Sequence, residues 1–305
     1  MLKNKSVVSI DDVQNDDLFE IFDLSESMLK TIESKGNAPL LTNKIMATLF
    51  YEPSTRTRLS FESAMHRLGG SVITVSDTKT SSAAKGETLA DTVRMASSYS
   101  DIIVIRHPLE GAARLASRFT SKPIINAGDG SGQHPTQTIL DLFTIKKELG
   151  SIDGKVITMV GDLRYGRTIH SLIIALSRFD VKVNLVSPEI LRLPEYVYSM
   201  LPDRNYVKEY NDLEEVIGET DVLYVTRIQK ERFSDQNEYQ SVIGSYSINS
   251  ETVEKMKKKS VIMHPLPRVD EISPDVDNMP QAAYFRQAYY GVPVRMALIY
   301  KILGD

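Results

Sequence analysis

From residue 44 onward, short apolar runs alternate with amphipathic stretches, which limits the chain to an α/β protein built on parallel sheets. Parallel strands need a crossover long enough to hold a helix, and strands covered on both faces read as continuous apolar runs. Strands are expected at residues 44–51, 71–75, 102–105 and 123–125, with helical patterns at 87–98 and 110–118. A longer helix is expected over 135–149, with Pro135 in its first turn and Gly150 past its end. A second series has strands at 155–160, 181–186, 221–225 and 260–263, and Ile169, Leu172, Ile173 and Leu176 mark one face of its first helix. A length of 305 residues accommodates two domains, with the candidate boundary at Gly150-Ser151-Ile152-Asp153-Gly154. The expected fold class is α/β, with two Rossmann-like domains on parallel sheets, linked by helices, and a ligand cleft between them.

The chain has no cysteine, which excludes disulfides, thiolate metal sites and a cysteine nucleophile. A formal net charge of −4 without a dominant basic face argues against a nucleic-acid partner. The short basic run Lys255-Met256-Lys257-Lys258-Lys259 reads as a solvated helix end. No signal peptide and no membrane-spanning run is evident, so the expectation is a soluble cytoplasmic protein with no membrane partner.

Candidate chemistry begins at Ser54-Thr55-Arg56-Thr57-Arg58, where Pro53 stops the first strand and Ser54 is placed to cap a helix. Two arginines in the first turn face the positive end of the helix dipole, at a cost of about 0.3–1 kcal/mol per cation unless an anion binds there. Free N–H groups, hydroxyls and a guanidinium at one helix start suit a phosphate or carboxylate. An ordinary capped helix with solvated arginines is the other reading.

Four further segments carry the same kind of ambiguity. Ser81-Ser82-Ala83-Ala84-Lys85-Gly86-Glu87 is either a surface loop or a mobile loop that brings Lys85 and a serine to an anion. Arg106 follows the apolar run at 102–105, where open α/β sheets bind ligands, although an ion-paired structural arginine fits equally well. His134, at the start of the 135–149 helix, can be a neutral imidazole donating to a carbonyl oxygen, or a structural hydrogen-bonding group. Leu266 and Pro267 lie in His264-Pro265-Leu266-Pro267-Arg268, where two prolines free carbonyl oxygens to accept from an amine or amide; sequence does not decide whether the Leu266-Pro267 bond is cis.

Gly161-Asp162-Leu163-Arg164-Tyr165-Gly166-Arg167-Thr168 is nearly a P-loop, except that arginine stands where a P-loop has lysine. Arginine offers a planar fork suited to carboxylates, so Arg167 argues against nucleotide hydrolysis. Thr226-Arg227-Ile228-Gln229 adds a guanidinium and an amide at the end of another strand.

Together, Ser54–Arg58, Lys85-Gly86-Glu87, Arg106-His107-Pro108, His134-Pro135-Thr136-Gln137, Gly166-Arg167-Thr168, Thr226-Arg227-Ile228-Gln229 and His264–Arg268 resemble the motifs of the carbamoyltransferases, and within them the catalytic chains of the aspartate carbamoyltransferases. They occur in family order and cover nearly the whole chain. Ornithine-specific members typically carry cysteine in the last motif, where Pro265 stands here, and often in the His-Pro motif, where Thr136 stands. Arg167, Arg227 and Gln229 suit a dicarboxylate and would repel a cationic side chain.

The resemblance implies transfer of the carbamoyl group of carbamoyl phosphate to L-aspartate, a step of pyrimidine synthesis. It implies a carbamoyl phosphate-binding domain over 1–148, joined by a C-terminal helix at 288–305, and an aspartate-binding domain over 149–287. Arg56, Thr57, Arg106 and His134 would be catalytic. Ser54, Thr55, Arg56, Thr57, Ser81, Lys85, Arg106, His134, Gln137, Leu266 and Pro267 would bind carbamoyl phosphate. Lys85, Arg167, Arg227, Gln229 and Leu266 would bind aspartate, and Arg58 would brace the loop through ion pairs. No cofactor or metal is implied. Ser81 and Lys85 would come from a neighbouring subunit, which places the active site at a subunit interface within a homotrimer. Residues 107–116 resemble the segment that faces a zinc-containing regulatory chain in allosteric members. A carbamoyltransferase for another acceptor such as ornithine, a phosphate-ligand or P-loop module, and a catalytically silent scaffold are the competing functions.

Overall fold

The computed structural model describes residues 2–76, 85–233 and 235–304. The chain divides into two compact units, Met1–Phe143 with Tyr290–Asp305, and Thr144–Tyr289. The first unit begins with α1 (Asn15–Lys35), followed by β1 (Ile45–Phe50), α2 (Thr55–Arg67), β2 (Ser71–Val75), α3 (Leu89–Tyr99), β3 (Ile102–His107), α4 (Ala112–Ala116) and β4 (Ile124–Asp129). Helix α5 (Pro135–Leu149) leads out of this unit, and α10 (Tyr284–Leu303) returns to it. The second unit carries β5 (Val156–Val160), α6 (Arg167–Leu176), β6 (Lys182–Val186), α7 (Glu195–Tyr198), β7 (Val207–Tyr210), β8 (Val222–Val225), α8 (Gln236–Val242), α9 (Ser250–Glu254) and β9 (Val261–Met263).

Both sheets are parallel, as the alternation of runs requires. The first has the order β2-β1-β3-β4 and the second β7-β6-β5-β8-β9. Strands β1 and β3 are buried along nearly their whole length, and Ala47, Leu49, Ile103 and Ile105 pack with Val93, Ala96, Ala113 and Ala116 from the helices. The second core gathers Val160, Leu223, Val225 and Ile262 with Val253, Val276 and Tyr284. Edge strand β2 is largely exposed.

Register fixes what each strand delivers. Phe50 pairs with Arg106 across β1 and β3, so the exit of β1 and the arginine of β3 lie side by side. Val160 pairs with Val186 on one side and Val225 on the other, so β5 and β8 end together.

Several elements differ from the sequence expectation. Strand β4 continues through Asn126-Ala127-Gly128-Asp129, where the Asn126 amide donates to the Val8 carbonyl and to Asp129 and Gly128 takes φ +110. Helix α4 is shorter than the expected 110–118, its start set by Gly111 at φ +77. Helix α1 and edge strand β7 had not been expected; the first buries Leu18, Ile21, Phe22, Met28, Leu29 and Ile32 at helical spacing.

Candidate active site

Open parallel sheets bind ligands where the strand order reverses, outside the carboxyl ends of the strands. In the first unit that point lies between β1 and β3. The chain leaves β1 through Glu52 and Pro53, and Ser54 takes the N-cap position of α2 with extended backbone, φ −159 and ψ 100. Its hydroxyl makes no capping bond to the helix, so the capping role expected of Ser54 is carried by position only. The first turn contains no acidic residue; Thr57 is buried, whereas Thr55 and Arg56 are exposed. Partial burial pushes the Arg56 guanidinium down from its ordinary value, a cost that a bound anion would offset. Arg58 pairs with Glu62 at 3.8 Å along the same helix, and Glu62 also accepts from Thr74 at 2.9 Å. Its ion pair therefore braces α2 against β2 and not the loop.

Arg106 sits inside β3 and not beyond its end, because the strand continues to His107. It is 9% exposed, donates to the Ala127 carbonyl at 3.2 Å and to Glu52 Oε1 at 2.8 Å. The ion-paired and ligand-facing readings of Arg106 thus meet in one residue, at the reversal point of the sheet. Glu52 was not singled out from sequence; its place between the end of β1 and Pro53 is the signal that could have found it.

His134 is buried directly before Pro135, and its carbonyl accepts from the amides of Gln137 at 3.0 Å and Thr138 at 3.1 Å. The turn that delivers it is built on Asp129, whose Oδ1 accepts from Gln133 N and Asn126 Nδ2 and whose Oδ2 accepts from Gly111 N. Gln137 donates its amide nitrogen to Asp141 at 2.8 Å, leaving Oε1 as the acceptor end. Lys85 is exposed at the edge of the described chain, and Ser81 lies outside the described residues.

In the second unit the order reverses between β5 and β8. Asp162, fully buried just after β5, accepts from the Tyr165 amide at 2.9 Å and the Gln229 amide at 3.4 Å. Thr226 donates to the Val160 carbonyl at 3.1 Å, and the Gln229 side chain donates to the Tyr165 carbonyl at 3.3 Å. Together these bonds tie the loop before Arg167, first residue of α6, to the loop carrying Arg227 and Gln229. Burial pushes the Asp162 carboxyl up to about 6, against the pull of those amides and of Arg227. Asp221, by contrast, directly precedes β8, accepting from the Val156 amide at 2.8 Å and pairing with Lys257, which makes it structural.

The segment after β9 belongs to the same unit. His264 is buried, its amide donates to the Gln287 side chain at 2.8 Å, and its Nδ1 accepts from the Leu266 amide at 2.7 Å. Leu266 stands at φ +56, and the Leu266-Pro267 bond is cis. Arg268 is taken up by Asp277 and by the ring of Tyr284 at 5.3 Å.

No group of three or more acidic or histidine side chains among the described residues is arranged to hold a metal ion. No helix among them is long and apolar enough to cross a membrane. Each sheet instead presents arginines and amide groups at its reversal point, which defines an α/β enzyme equipped for anionic ligands.

Residues 5–147 match the model of the aspartate/ornithine carbamoyltransferase carbamoyl-P binding domain, and residues 153–302 match that of the Asp/Orn binding domain. The chain is 80% identical over all of its length, and all of the relative's, to the aspartate carbamoyltransferase catalytic subunit of Thermoplasma acidophilum. It is similar to the solved catalytic subunit of M. jannaschii aspartate transcarbamoylase at 58% identity, with a TM-score of 0.89 over 98% of this chain and 97% of that one. The Trypanosoma cruzi aspartate transcarbamoylase in complex with carbamoyl phosphate and aspartate gives a TM-score of 0.95 at 43% identity, covering 99% and 98%. The chain belongs to the aspartate/ornithine carbamoyltransferase family.

Proposed function

We infer that this chain transfers the carbamoyl group of carbamoyl phosphate to the amino group of L-aspartate, giving N-carbamoyl-L-aspartate and phosphate, a reaction of pyrimidine synthesis. One observation carries the choice of acceptor. Buried Asp162 ties together the two loops that bear Arg167, Arg227 and Gln229, a donor set that suits carboxylates and disfavours the ammonium of ornithine.

Ser54, Thr55, Arg56 and Thr57 hold the phosphoryl group on this reading, where the amides of the α2 start and an acid-free first turn favour an anion. Thr57, Arg106 and His134 polarise the carbonyl oxygen. As the amine attacks the carbamoyl carbon, the negative charge that builds on that oxygen meets donors already in place. Gln137 Oε1 and the Leu266 carbonyl, with Pro267 beside it, accept from the carbamoyl NH₂; Arg167, Arg227, Gln229 and Lys85 bind the aspartate carboxylates. The new C–N bond forms, the C–O bond to phosphate breaks, and the departing phosphate takes the proton the amine gives up. Orientation of two reactants can supply about 7–11 kcal/mol in favourable cases.

The domain assignment follows from these roles: 1–148 with 288–305 for carbamoyl phosphate and 149–287 for aspartate. A homotrimer in which Ser81 and Lys85 serve a neighbour's site is consistent with the exposed edge β2 and exposed Leu59, Ile73, Met95 and Tyr99. Exposed Leu109 and Leu115 leave room for a zinc-containing regulatory chain on residues 107–116. A cytoplasmic location suits a chain of this kind. Incubation with carbamoyl phosphate and each acceptor tests the central reading: N-carbamoyl-L-aspartate is expected, and citrulline without it would overturn the assignment. Copurification with the partner gene present tests the regulatory chain, and a bare trimer would reject it.

A further inference from the structure

The loop after β9 contains a buried relay whose side chains are not among the proposed substrate contacts. His264 Nδ1 accepts the Leu266 amide at 2.7 Å, which fixes the ring proton on Nε2. That Nε2 donates to Glu271 Oε1 at 2.6 Å, and the other Glu271 oxygen accepts from the amides of Val269 at 3.1 Å and Asp270 at 3.2 Å. Both side chains are buried, at 2% and 6% exposure, so neither bond competes with water. Burial pushes the Glu271 carboxyl up, yet the His264 ring, by hydrogen bond and charge, and the backbone amides together outweigh it and hold the group below its ordinary value.

What the relay holds is unusual. Leu266, a branched side chain, sits at φ +56, a left-handed conformation that such residues rarely adopt and that persists only where surrounding bonds over-determine it. Its amide is committed to His264, His264 is committed to Glu271, and Glu271 closes back on the following backbone. A purely packing role would need only volume here. A charged carboxylate buried with a histidine oriented through both nitrogens needs a reason, and the strained leucine supplies it.

We propose that His264 and Glu271 are positioning residues that hold Leu266 in its left-handed conformation and so aim its carbonyl oxygen at the carbamoyl nitrogen. This rests on the carbamoyl-transfer reading above. Neither residue touches substrate; both act through the backbone of Leu266. Because phosphate contacts come from the start of α2 in the other unit, the relay governs carbamoyl phosphate and leaves inorganic phosphate alone.

Three variants of the full-length protein test it, with kcat, KM for each substrate and product inhibition by inorganic phosphate measured on each. Glu271→Gln keeps volume but puts an amide where two backbone N–H groups and a ring N–H all need an acceptor. His264→Gln keeps reach towards Glu271 and loses the acceptor for Leu266, whereas His264→Asn keeps an acceptor near the Nδ1 position. The first two are expected to lose kcat and raise the KM for carbamoyl phosphate by about tenfold to a hundredfold, the scale of a misplaced reacting group. Phosphate inhibition stays unchanged, and His264→Asn recovers part of the loss. Wild-type kinetics in folded Glu271→Gln, or parallel weakening of carbamoyl phosphate and phosphate, would overturn the relay. If Glu271→Gln does not purify folded, the contrast between the two His264 variants decides the matter. Absence of carbamoyl aspartate formation by the wild-type chain would instead remove the underlying reading, and the relay's proposed role with it.

Discussion

The Gln137 amide nitrogen donates to Asp141 Oδ1 at 2.8 Å, one turn along α5, with both residues buried. This bond settles which end of the Gln137 amide accepts, and a carbamoyl NH₂ needs an acceptor. Asp141 has a second duty. Arg295, buried on α10 with its guanidinium 4.9 Å from the centre of the Phe61 ring, is pushed down to about 10 by burial, and the Asp141 charge opposes that fall. Asp141→Asn is therefore expected to act twice. It lets Gln137 present either amide end, raising the KM for carbamoyl phosphate, and it leaves Arg295 less compensated, costing about 1–3 kcal/mol of stability. Denaturant unfolding and substrate kinetics on the same preparation check the two effects, and a variant with unchanged KM would detach Gln137 from the carbamoyl group.

Arg56 and Arg167 should separate the substrates. Arg56→Ala removes the exposed cation of the acid-free α2 start and is expected to abolish measurable carbamoyl phosphate binding. Arg167→Ala is expected to raise the KM for aspartate by about tenfold to a hundredfold, the worth of a charge-assisted hydrogen bond, while sparing carbamoyl phosphate affinity. Equilibrium binding of each ligand distinguishes them; intact turnover in both variants would dismantle the site assignment.

The parallel sheets were legible because β1, β3, β5 and β8 are buried on both faces and read as unbroken apolar runs. Strand β7, an edge strand reading Val207-Lys208-Glu209-Tyr210 with no apolar alternation, carries too little apolar signal to stand out. The motifs proposed for the site stand out in the sequence, but the groups that hold their side chains do not. Glu52, Asp141 and Glu271 belong to none of the motifs, and nothing in the sequence marks them as the partners of Arg106, Gln137 and His264. Glu52 and Arg106 are separated by 54 positions, so no local pattern announces their pairing.

Asp162 makes the proposed aspartate half-site sensitive to pH. Burial raises its carboxyl from 3.8 to about 6, and only the ionised form can accept from both the Tyr165 and Gln229 amides. Its contribution to stability is thus fully present below the unfolded value of 3.8 and is lost as pH rises through about 6, a difference of roughly 3 kcal/mol. Function runs the other way: the two loops are tied best when Asp162 is charged. The KM for aspartate is expected to fall as pH rises through about 6 in the wild type, and to lose that step in Asp162→Asn. A step of equal size in both proteins would assign the titration elsewhere.

Gly161 sets the limit on how closely β5 and β8 may end. It stands at φ +117, and a Cβ there would lie 2.2 Å from the Thr226 carbonyl oxygen and 2.9 Å from its hydroxyl oxygen. The nearer atom is backbone, so no rotamer change can relieve the clash. Gly161→Ala must either push Thr226 away, breaking its bond to the Val160 carbonyl, or tilt the loop that carries Asp162. Either route pulls apart the loops that present Arg167 and Arg227. The backbone strain adds to the clash, for a combined cost of about 1–3 kcal/mol or more. The expected result is a lower unfolding midpoint together with a large rise in the KM for aspartate. Carbamoyl phosphate binding, measured separately at equilibrium, should remain, because its proposed phosphate contacts lie in the other unit. Loss of both affinities in equal measure would mean that the substitution unfolds the chain as a whole, and that this close approach holds more of the molecule than the aspartate half-site.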